Sequence, residues 1–108
     1  PSSINSTFIA ASNYISSETN KTLNDMLIYA GSSYNGINCL GKYSDSLYGN
    51  IQGIMPTLKN CILSQINLFL TNSLSQANIN YINSCIQGVA TANRNNLITI
   101  LSYYKNCR

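Results

Sequence analysis

The sequence has no histidine and no tryptophan, and only three acidic residues among its 108. Without histidine there is no Ser-His-Asp or Cys-His arrangement, and no zinc or haem ligation through imidazole. The acids are Glu18, Asp25 and Asp45. A glycosidase needs two apposed carboxylates. Glu18 and Asp25 could share a helix face, but their neighbours are ordinary surface residues. No two cysteines have the short spacing of a redox or zinc pair, and the glycines around 31–36 and 49–53 lack phosphate-loop spacing and a following lysine. The residues therefore predict no catalytic group, no metal site and no cofactor, and the protein reads as a non-enzyme.

Charge is scarce. The cations Lys21, Lys42, Lys59, Arg94, Lys105 and Arg108 are spread along the sequence. Useful phosphate neutralisation takes roughly six to ten clustered cations, which argues against nucleic-acid binding and against a basic amphipathic membrane helix. The best apolar run, residues 61–70, is interrupted by Ser64, Gln65 and Asn67. Nothing here approaches the roughly 18 residues that span a bilayer, so no membrane insertion is expected and the protein reads as soluble.

What is present is uncharged and polar: 17 Asn and 15 Ser, set against 14 Ile and 11 Leu. That much apolar mass excludes intrinsic disorder, and the length predicts one domain over 1–108. Six Gly and two Pro are too few for the turns of a β-sandwich. Helical spacing fills the gap. A stripe from Ile4 through Phe8, Ala11, Ile15 and Met26 to Ala30 predicts helix one over 3–30, either continuous or broken near 16–20, with Gly31 as its C-terminal cap. Residues 31–38 read as the clearest loop. Leu40, Tyr43, Leu47, Ile51 and Ile54 predict helix two over 38–55. Pro56 then suits the first position of helix three, over 56–76, and helix four follows over 80–106.

The fold class is thus all-α, a single-domain up-down four-helix bundle. Its cysteines, 39, 61, 85 and 107, are spaced by 22, 24 and 22 residues. A helix of 22 residues is roughly 33 Å long, whereas a disulfide spans about 5.5 Å between Cα atoms, so sequence neighbours cannot bond along one straight helix. With four alternating helices, Cys39 and Cys85 fall at one end and Cys61 and Cys107 at the other. The expected disulfides are Cys39–Cys85 and Cys61–Cys107. Residues 39–61 and 85–107 also match in length, and both end in Lys-Asn-Cys.

An even cysteine count points to an oxidising compartment, so the protein is expected to be secreted and extracellular. The sequons at Asn5 and Asn20 are candidate glycosylation sites. Pro1 in place of a methionine fits a mature form after signal-peptide removal. Thr19, Thr22 and Asn93 lie on apolar stripes, either forming one polar layer or, for the threonines, bonding back to their own helix. Tyrosine outnumbers phenylalanine eight to two, and tyrosine is well suited to protein interfaces. Tyr34 and Asn35 in the loop, with Tyr103, Tyr104 and Lys105 near the C-terminus, form the candidate partner-binding surface. A partner that is a host or extracellular protein is the first reading. A carrier of a small apolar ligand in a cavity between helices is the second.

With Cys39, Cys61, Cys85 and Cys107 on a weakly charged helical frame of about 110 residues, the protein resembles the small salivary complement inhibitors of anopheline mosquitoes, the family that includes albicin. The resemblance implies an immune-evasion protein of saliva that binds the alternative-pathway convertase of host complement and holds it inactive without catalysis. It carries over no functional residue beyond the cysteines.

Overall fold

The structure, a computed structural model, describes residues 2–107. Pro1 and the cation Arg108 lie outside the described residues. The polypeptide forms an all-α bundle of four helices held by two disulfides: α1 (Ser2–Ala30), α2 (Tyr34–Leu63), α3 (Ile66–Leu70) and α4 (Gln76–Cys107). Three are long, and the fourth is a five-residue turn of helix.

α1 is continuous through residues 16–20. Its mid-helix hydroxyls stay inside the helix: Thr19 Oγ1 donates to the Ile15 carbonyl at 2.7 Å and Thr22 Oγ1 to the Glu18 carbonyl at 2.8 Å. Gly31 ends it at φ +58°, where a side chain would be strained. The loop expected over 31–38 is shorter than that. Ser33 caps α2, its Oγ accepting from the Gly36 N–H at 3.0 Å, so Tyr34 and Asn35 belong to the first helical turn.

Pro56 departs furthest from expectation. It does not open a new helix but sits inside the 30-residue α2. The stripe Leu47, Ile51, Ile54, Leu58, Cys61 crosses the proline with no change of phase, and its residues are buried or packed against the core on both sides. Burial of that stripe outweighs the ~3 kcal/mol that an interior proline costs. Pro56 and Gln52, whose carbonyl loses its helical partner, both lie on the exposed side. The backbone instead reverses across 64–75. There Asn72 takes φ +52°, and Ser75 and Asn78 close the start of α4 reciprocally, each side chain accepting from the other's backbone N–H at 3.2 Å. The expected join at 76–80 is therefore the first turn of α4.

With α2 continuous, its two cysteines lie at opposite ends, and the disulfide pairing differs from the expectation. Cys39 bonds Cys107 and Cys61 bonds Cys85, with Cα–Cα distances of 5.9 and 5.7 Å. The pairing Cys39–Cys85 and Cys61–Cys107 would require the reversal at Pro56 that does not occur. Because 22 residues separate the cysteines on each helix, the disulfides form two level rungs on an antiparallel α2/α4 pair.

α1 packs on both other long helices and runs parallel to α4. One buried cluster joins Ile4, Ala11 and Ile15 of α1 to Leu58 and Cys61 of α2 and Ile82, Ile86 and Val89 of α4. The other joins Met26 and Ala30 to Cys39, Leu47, Leu97 and Tyr104. The result is a rod of 58 × 17 × 15 Å with one core cluster toward each end.

Candidate functional site

The loop and C-terminal segments singled out in the sequence meet at one end of the rod, where α2 begins and α4 ends, because the Cys39–Cys107 rung ties these segments together. At this level Tyr43 meets Tyr104 edge to face, with ring centroids 6.3 Å apart, and the Tyr104 hydroxyl donates to the Met26 carbonyl at 2.8 Å. Lys42 Nζ stands 5.3 Å from the Tyr43 ring and Lys105 Nζ 4.7 Å from the Tyr29 ring. Ring pairs of this kind contribute about 0.5–1.5 kcal/mol beyond burial, so all three long helices are fastened together at this end.

Tyr104 is fully buried at 0 % exposure and belongs to the core rather than to the candidate binding surface. Tyr34 and Tyr103 are 80 % and 60 % exposed, and Asn35 and Lys105 are exposed as well. Two further residues join them. Ile37 and Tyr48 are exposed and, together with Tyr34, recur at helical spacing on α2. Tyr34, Gly41 and Tyr48 are successive heptad positions, so they share one exposed face that flanks the buried stripe. This second stripe was readable from spacing, but the loop reading of 31–38 cut it off at its first members.

Asn5 and Asn20 are exposed on α1. The polar layer expected around Thr19, Thr22 and Asn93 forms differently. Asn93 pairs across to α2, accepting from Asn50 Nδ2 at 2.8 Å, and Asn50 Oδ1 accepts from Asn96 Nδ2 at 2.9 Å. Glu18 and Asp25 line a groove between α1 and α4 that Lys21 and Arg94 also line, so the sign of charge there is mixed. A second groove between the same helices, about 500 Å³ and open to the surface, is bordered by Ser6, Thr7, Ala10, Tyr14, Gln87 and Ala90. No helix of the described residues is long and apolar enough to cross a membrane.

No family model, curated protein or solved structure matches this sequence.

Proposed function

We propose that the protein is a secreted, non-enzymatic molecule that binds and inhibits a host macromolecule, the alternative-pathway convertase of complement being the target suggested by its resemblance to anopheline salivary inhibitors. One observation carries the binding part of the proposal: the exposed Tyr34 and Tyr103 sit together at one end of the rod, on helices that a disulfide locks together. Tyrosine on a rigid support loses little entropy when it becomes buried against a partner. The tip alone is too small. Its 17 × 15 Å section covers roughly 250 Å², whereas a stable interface takes about 800 Å² per partner. The footprint therefore continues down the outward face of α2, through Ile37 to Tyr48. Inhibition follows from occupancy: a stiff rod seated on the enzyme blocks access without chemistry of its own.

Pull-down from plasma followed by mass spectrometry tests the partner, and recovery of convertase components is expected. Tyr34→Ala, Tyr48→Ala and Tyr103→Ala together should abolish capture and inhibition while leaving the helical circular dichroism intact, since hot-spot aromatics contribute about 2 kcal/mol or more each. Tyr104→Ala should instead unfold that end. Capture that survives the triple substitution would place the interface elsewhere, and a plasma eluate without complement proteins would remove the target.

A further inference from the structure

Asn35-Gly36 is the single Asn-Gly pair in the sequence. Such a pair is chemically labile, because glycine offers no side chain to hinder its own nitrogen from attacking the preceding amide. Gly36 is not free to change: a Cβ there would run into the Ala30 carbonyl oxygen and the Ser33 Oγ. Asn35 is exposed at the second position of α2. In the first turn of a helix the backbone N–H groups have no intrahelical acceptor, and the Gly36 N–H is held by the Ser33 Oγ at 3.0 Å.

We infer that Asn35 is a site of spontaneous deamidation and that the Ser33 cap sets its rate. When the first turn opens, the Gly36 nitrogen loses its proton and attacks the Asn35 Cγ. The new N–Cγ bond replaces the bond from Cγ to Nδ2, and ammonia leaves. Water then opens the five-membered imide at one of its two carbonyls, giving aspartate or isoaspartate. Aspartate adds a negative charge at the positive end of the α2 dipole. Isoaspartate lengthens the backbone by one atom, displacing Tyr34 from its register with Tyr48. The inference is independent of what that end binds.

The oxidised full-length protein, incubated at pH 8 and followed by peptide mass mapping with enzymatic detection of isoaspartate, tests this. The mass gain of amide-to-acid conversion should appear first in the peptide spanning Asn35-Gly36 and vanish in Asn35→Gln. Losing the cap in Ser33→Ala should speed it about fivefold, from the typical effect of a lost N-cap on the open population, while Ser33→Thr keeps close to the native rate. The reduced protein in urea gives the unguarded rate, against which a misfolded variant is recognised. Conversion that begins at another asparagine, or a native rate equal to the urea rate, would overturn the inference.

Discussion

Asn93 is fully buried, and its only side-chain partner is the half-buried Asn50; its Nδ2 has none. The energetics of the pair are consequently lopsided. Asn50→Ala strands the Asn93 amide inside the bundle and should cost about 1–3 kcal/mol. Asn93→Leu leaves Asn50 with Asn96 and water, so stability should hold or rise. Thermal unfolding followed by circular dichroism checks the order of the two, and a milder loss for Asn50→Ala would contradict this account. That Asn93 is buried was legible from its place on the stripe. Its partner was not, because Asn50 lies on a helix whose register against α4 depends on how the backbone reverses. Tyr104 sits on the same stripe as Leu97 and Ile100, so its burial was readable. The adjacent pair Tyr103-Tyr104 nonetheless splits between surface and core, since consecutive helical residues point about 100° apart.

At the scale of elements, Pro56 decided how much of the fold could be read from sequence. The phase of the stripe from Leu40 to Ile62 already implied one helix, but the local rule that proline starts helices pointed to two, and the local rule lost to the burial on both sides. From that one choice came the wrong disulfide pairing, because helix direction alone determines which cysteines share an end. The helical class and the extent of α1 were legible because each rests on long periodic segments. The reversal at 64–75 was not, since Phe69 and Leu74 still pack on the core and extend the apolar pattern past the end of α2. Pro56→Ala should raise stability by about 2 kcal/mol: roughly 3 from restoring the helix interior, less up to about 1 for a more flexible unfolded state. The urea midpoint measures it, and a lower midpoint would mean that the proline ring makes contacts that alanine cannot replace.

As a whole molecule the protein is a rod with a radius of gyration of 17.2 Å, against about 13 Å for a compact domain of this length. Its ends differ: residues 2–17 and 60–93 contain no charged side chain, so the half remote from Tyr34 and Tyr103, which holds Tyr14 and Tyr81, carries Lys59 alone. There Ile9, Leu63, Ile66 and Leu70 are exposed. The tyrosine end was only partly visible in the sequence, because its two segments come together through the Cys39–Cys107 bond, which depends on the course of α2. The two rungs also make residues 39–107 a covalent loop with a crossbar. Any single peptide cut between Cys39 and Cys107 leaves the molecule in one covalent piece, while a cut in the turn at 31–33 leaves α1 held by packing alone, since no disulfide ties it. Limited proteolysis should therefore give an unreduced product nicked in the reversal at 71–75 that keeps its full length on non-reducing gels and separates into two fragments once reduced. In a protease-rich fluid such nicking would leave the stapled helices joined, and the turn before Tyr34 would be the place where a single cut severs α1 from the covalent frame.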